Sequence, residues 1–115
     1  MSDRRVKVVF AAARVRDAFE ALESGRFEDR QLAGYIRRAI SDLEANPAAG
    51  TLIPQRLWPK EYVRQYGIKH LRKYDLPNGW RLIYSLKGTE VEILVIILEW
   101  FSHKDYEKRF GYKVG

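Results

Sequence analysis

The chain contains no cysteine. Disulfide scaffolds, thiol catalysis and cysteine-ligated zinc are therefore excluded together, and the composition suits a reducing compartment. Only two histidines, His70 and His103, occur in 115 residues, so a histidine-rich metal cage is excluded too. Long apolar runs are missing: the longest, over 8–13 and 93–98, are six residues each, against the roughly 18 needed to span a bilayer. The basic first residues are followed by neither a long apolar stretch nor a small-residue cleavage site. No secretory signal is expected, and the expected location is the cytoplasm. A phosphate-binding glycine loop, a Gly-x-Ser-x-Gly elbow and a His-Glu-x-x-His pair are all absent.

What the chain does have is material for a core, with 46% apolar and 13% aromatic residues. Its length fits one domain that buries roughly two-thirds of its unfolded surface. The net charge of +6 is uneven. Residues 1–50 hold nine Lys and Arg against eight acids, whereas residues 51–115 hold twelve against seven. Residues 56–81 carry seven cations against Glu61 and Asp75, interleaved with Trp58, Tyr62, Tyr66, Tyr74 and Trp80. Cations among aromatics suit RNA or DNA, because Lys and Arg neutralise phosphates and ring faces accept unpaired bases. The alternative is a solvated basic face whose aromatics belong to the core.

The β-branched run over 6–10 predicts a strand. Val15, Ala18, Phe19 and Leu22 recur at helical spacing and stop at Ser24-Gly25. Leu32, Tyr35, Ile36, Ala39, Ile40 and Leu43 repeat that spacing, opened by Glu28-Asp29 and closed before Asn46-Pro47. These two helices should pair as an antiparallel hairpin. Residues 48–67 read mostly as loop, with Pro59 able to begin a short helical turn through Tyr62 and Val63. A strand is predicted over 68–76, placing Ile68, His70, Arg72, Tyr74 and Leu76 on one side and Lys69, Leu71, Lys73 and Asp75 on the other. Pro77-Asn78-Gly79 predicts a hairpin turn, followed by a strand over 80–86, a turn at 87–89 and a buried strand over 91–98. Ser102 with Asp105 three residues later predicts a terminal helix over 103–110. The expected class is α+β: a two-helix hairpin packed on a small antiparallel β-sheet in the order β-α-α-β-β-β-α, as a single domain over 1–115. The opposite sheet face is expected to be an exposed, concave, basic surface.

The run Gly79-Trp80-Arg81-Leu82-Ile83-Tyr84, followed by an apolar strand and His103-Lys104-Asp105-Tyr106, resembles the RelE/ParE superfamily of toxins from type II toxin-antitoxin systems, in particular its RelE-like branch. Members commonly read Gly-aromatic-Arg-Leu-aliphatic-Tyr at the third strand and His-basic-x-x-Tyr or a near variant at the end. The resemblance covers nearly the whole chain in element order. It implies a ribosome-dependent mRNA endonuclease that inhibits translation without a metal or other cofactor. A ribose 2′-hydroxyl would attack the neighbouring phosphate, leaving a cyclic phosphate and a free 5′-hydroxyl.

On that resemblance Arg81 would hold the scissile phosphate through its fork of donors, and His103, with an ordinary pKa near 6.5, would accept or give a proton. Tyr106 would stack or donate a proton, with apolar packing of its ring as the alternative, and Tyr112 is the second-choice phenol. Lys69, Arg72, Lys73 and Lys104 would bind RNA. Two departures stand out: Asp75 occupies a position where relatives usually carry a base, and one residue separates Lys104 from Tyr106 where many relatives have two. His70, between Lys69 and Arg72, should be held near neutrality, able to act as a base or else simply a partly buried strand residue. Glu61 and Glu99 complete the possible bases, Glu99 lying beside Trp100 and Phe101. The resemblance further implies a cognate antitoxin as partner, with the ribosome and mRNA as targets. Two other readings remain: a ParE-like toxin that inhibits a DNA topoisomerase, and a decayed RNA-binding member without catalysis.

Overall fold

The structure is a computed structural model that describes residues 4–111. Its elements run β1 (Arg5–Phe10), α1 (Ala13–Glu23), α2 (Phe27–Ala45), β2 (Thr51–Leu52), α3 (Lys60–Tyr66), β3 (Arg72–Asp75), β4 (Arg81–Gly88), β5 (Glu92–Phe101) and α4 (His103–Phe110). The α+β class and the helix hairpin are as expected. Among the described residues no helix is long and apolar enough to cross a membrane.

The sheet is mixed rather than antiparallel, with strand order β1-β5-β4-β3-β2. The expectation failed at its first strand: β1 lies beside β5 and runs parallel to it, with Val6 opposite Ile93 and Phe10 opposite Ile97. Two β-branched, apolar strands reach each other only because α1, α2 and the meander carry the chain back, which strand patterning does not encode. β5 is thus flanked by β1 and β4, and Val95, Ile97 and Leu98 are fully buried as a central strand requires. Opposite Ile83 and Tyr84 the register slips by one residue on β5, a bulge at Leu98 and Glu99. The bulge turns both of these side chains away from the helix hairpin, towards the second face of the sheet.

Acidic Glu28 and Asp29 in the first turn of α2 favour its start, and Asp29 accepts a hydrogen bond from the Arg26 amide at 3.2 Å. The apolar stripes of α1 and α2 cover the first face, where Ile36, Ala39 and Leu43 meet Leu82, Tyr84, Val95 and Ile97. Tyr84 ties this core to the loop after α2: its hydroxyl accepts from the Gly50 amide at 2.9 Å and donates to the Pro47 carbonyl at 2.8 Å. A β-carbon on Gly50 would stand 2.7 Å from that hydroxyl, so glycine is required there.

The second face is not the open basic surface expected from sequence. Part of it is roofed by α3 and α4, which bury Tyr62, Tyr106 and Phe110 against Leu71, Ile83 and Leu98. The physical reason is ordinary: two short amphipathic helices can shed their apolar side chains only onto sheet surface that α1 and α2 leave free. The predicted strand over 68–76 shrinks to Arg72–Asp75, because Ile68 and Leu71 both turn into this second core and break strict alternation.

Candidate functional site

The turn between β3 and β4 sets the geometry. Asn78 and Gly79 take consecutive left-handed conformations, φ 61° and 79°, and the Leu76 amide closes the hairpin on the Trp80 carbonyl at 2.8 Å. Pro77-Asn78-Gly79 supplies the residues that such a turn needs. The start of α4 packs on it, so that a β-carbon on Gly79 would stand 3.1 Å from His103 Cβ. Ser102 caps this helix by accepting a hydrogen bond from the Asp105 amide at 3.3 Å.

Arg81, the first residue of β4, is held at the same corner. Its Nη1 donates to the carbonyls of Gly79 at 2.8 Å and Trp80 at 3.3 Å. Its guanidinium carbon lies 5.8 Å from the centre of the Tyr106 ring. Arg81 thus bonds the Gly79 carbonyl from β4, and His103 Cβ packs close to Gly79 from α4. The Arg81 side chain is only 18% exposed, and its Nε stands 3.1 Å from Asp75 Oδ1. That Nε–H is not aimed along the line of contact, so the pair is an ion contact rather than a hydrogen bond. The same carboxylate oxygen holds Lys73 Nζ at 3.2 Å. Strand register explains the cluster, since Asp75 pairs with Arg81 and alternation puts Lys73 on the same face.

The other sequence candidates are dispersed. His103 is 59% exposed, with Nε2 3.4 Å from Glu107 Oε2 one helical turn on. Lys104 is exposed beside it. Tyr106 is buried, its ring 4.7 Å from that of Phe110 and its hydroxyl without solvent contact, so it supports Arg81 from below and presents no ring to a base. Arg72 points to the first face, where Nη1 donates to Gly50 O at 2.6 Å and Ala48 O at 3.3 Å, away from the corner. Lys69 is exposed in the segment before β3, also away from it. Tyr112 lies outside the described residues.

Of the possible bases, His70 has its pKa lowered by burial and then by the nearby Arg72 charge, in the direction expected, but its Nδ1 is buried and without a partner. Glu99 accepts a hydrogen bond from Tyr62, whose hydroxyl is pushed far up by burial and by that bond. Glu61 holds Arg109 at 2.9 Å, and Arg109 lies 5.4 Å from the Tyr62 ring centre. These four residues pin α3 to α4 and β5 and form no part of the corner.

Sequence reasoning missed the double role of Asp75, which is 62% exposed yet engages two cations. The signal was present in the alternation of 73 and 75 opposite 81, once the hairpin register is fixed. No group of three or more metal-ligating side chains occurs among the described residues. What the corner can do chemically is grip an anion through Arg81 and Lys73, once Asp75 yields, beside an accessible imidazole. Compared with family models, with curated proteins and with solved structures, the chain matches none.

Proposed function

We propose that the protein is a RelE-like toxin that cuts mRNA on the ribosome, without a metal, and so arrests translation. The observation that carries this reading is that Arg81 and His103 flank the same residue, Gly79: the Arg81 guanidinium bonds its carbonyl, and the β-carbon of the exposed His103 packs beside it. In the proposed reaction a ribose 2′-oxygen forms a bond to phosphorus and the bond from phosphorus to the 5′-oxygen breaks. The 2′-hydroxyl loses its proton to a base and the departing 5′-oxygen gains one from an acid. His103 serves one of these transfers, Arg81 and Lys73 balance the added charge, and Lys104 adds a neighbouring cation. Tyr106 acts through Arg81 by supporting its guanidinium. Electrostatic attraction of an acidic antitoxin segment to the basic second half of the chain belongs to the same proposal.

A second reading, an RNA-binding protein without catalysis, is favoured by one feature: Asp75 occupies both cations that a phosphate would need. A translating extract separates the two. The nuclease reading expects mRNA fragments with 5′-hydroxyl ends, lost by about a hundredfold or more in Arg81→Ala and in His103→Ala proteins that circular dichroism shows to be folded. Salt-sensitive RNA binding with no fragments would select the second reading, and inhibition of a topoisomerase with intact mRNA would select the ParE-like one.

A further inference from the structure

The part of the second sheet face that α3 and α4 leave uncovered forms a groove of about 680 Å³. Ile96, Ala11, Ser85 and Tyr66 contribute to its lining, and Lys69 and Lys87 stand on the segment before β3 and on β4. Both lysines are exposed, and neither pairs with a carboxylate among the described residues. Among the described residues no acidic side chain lines the groove. Strand register adds a third cation: Lys7 on β1 and Lys87 on β4 both pair with Leu94 of β5, so these two lysines flank Leu94 in one row on this face.

Tyr66 is presented by a device of its own. Arg14 of α1 donates hydrogen bonds to the Tyr66 hydroxyl and, at 3.2 Å, to Gln65, and its guanidinium carbon lies 5.9 Å from the ring centre. A ring fixed by a cation loses little freedom when a second flat group stacks on it.

We propose that this groove is a second contact for single-stranded RNA, separate from the Arg81 corner, in which Lys69 and Lys87 take backbone phosphates and Tyr66 takes a base. It deepens the nuclease reading and rests on the same polyanion logic, but not on cleavage. The groove lies on the same sheet face as Arg81, four to six residues further along β4, which is about 13–20 Å of strand. Ile83, between them on the same face, lies under α3 and α4, so an RNA chain that reaches both passes over the outside of those helices. Nucleic acid fits better than an acidic peptide because the lining offers separated ammonium groups and a backed aromatic ring, the pairing that phosphates and unstacked bases use together.

The test measures fluorescence anisotropy of a short labelled oligouridine with the full chain over a range of salt. Lys69→Gln/Lys87→Gln should weaken binding about tenfold at low salt and flatten the plot of log affinity against log salt by about 1.4, at roughly 0.7 for each lost phosphate contact on a single strand. Tyr66→Leu should weaken binding about tenfold and leave that slope alone. An unchanged slope and affinity in the double lysine variant overturns the proposal. So does a result in which the lysine changes abolish binding of a labelled oligoglutamate while oligouridine binding stays as in the wild type, which would assign the groove to an acidic segment. Cleavage is scored separately with Arg81→Ala: a protein that never cuts mRNA yet shows the predicted slope changes would sink the nuclease reading and keep the groove.

Discussion

The sheet face beneath α1 and α2 and the face beneath α3 and α4 are made from different materials. On the first, one helix pair lays Ile36, Ala39 and Leu43 over Leu82, Tyr84, Val95 and Ile97, and each of these is at most 1% exposed. On the second, helices of seven and eight residues roof part of the strands, and polar links share the work with apolar ones. Tyr62–Glu99, Arg109–Glu61 and Arg81–Asp75 all lie there. The placing of charge follows from the incomplete roof. Where burial is total, a charged group has no place. At the margin of a partial roof, Arg81 and Lys73 are each about four-fifths buried and held by the exposed Asp75.

The comparison would break most clearly if the second core were merely loose. Phe110→Ala should cost about 3–5 kcal/mol in urea unfolding, comparable with the roughly 2–5 kcal/mol of Leu43→Ala on the first face. A loss below about 1 kcal/mol would mean that α4, and His103 with it, is not fixed. Next in size, Tyr84→Phe should cost about 1–3 kcal/mol, because it strands the Gly50 amide and the Pro47 carbonyl on the first face.

Asp75→Asn sharpens the contrast from the other side. As an exposed ion partner Asp75 should contribute less than about 1 kcal/mol to stability, while its replacement frees Arg81 and Lys73 and should tighten RNA binding severalfold. Unchanged binding would show that the carboxylate does not compete with phosphate.

The smallest expected effect concerns pH. The folded-state pKa of His70 lies below its ordinary 6.5, through burial first and Arg72 second. As pH falls below about 6.5 the unfolded chain takes up a proton that the folded chain resists, so stability declines with acidification until the folded pKa is passed. His70→Gln should flatten that decline between pH 7.5 and 5.5 in urea midpoints, and an unaltered slope would assign it elsewhere.

Legibility in the sequence followed how local each feature is. The hairpin of α1 and α2, the Pro77-Asn78-Gly79 turn and the Ser102 cap were all readable because each is specified within a few residues. Alternation also placed Lys73 and Asp75 correctly on one face and Arg72 on the other. Helix α3 was visible only as a turn after Pro59, since seven residues carry too little periodicity. The bulge at Leu98 and Glu99 was hidden in an unbroken apolar run, where a slip of one residue leaves no mark on composition.

The sequence alone determined the class, the charge imbalance, the absence of thiol chemistry and the placing of most helices and turns, because periodicity and turn residues act over short stretches. Only the tertiary structure decided that β1 runs parallel to β5, that α3 and α4 cover part of the second face, and that Arg81 is shared among Gly79, Asp75 and Tyr106. Those outcomes depend on contacts between residues far apart in the chain, and such contacts are settled by which apolar surfaces remain to be covered once the local elements have formed.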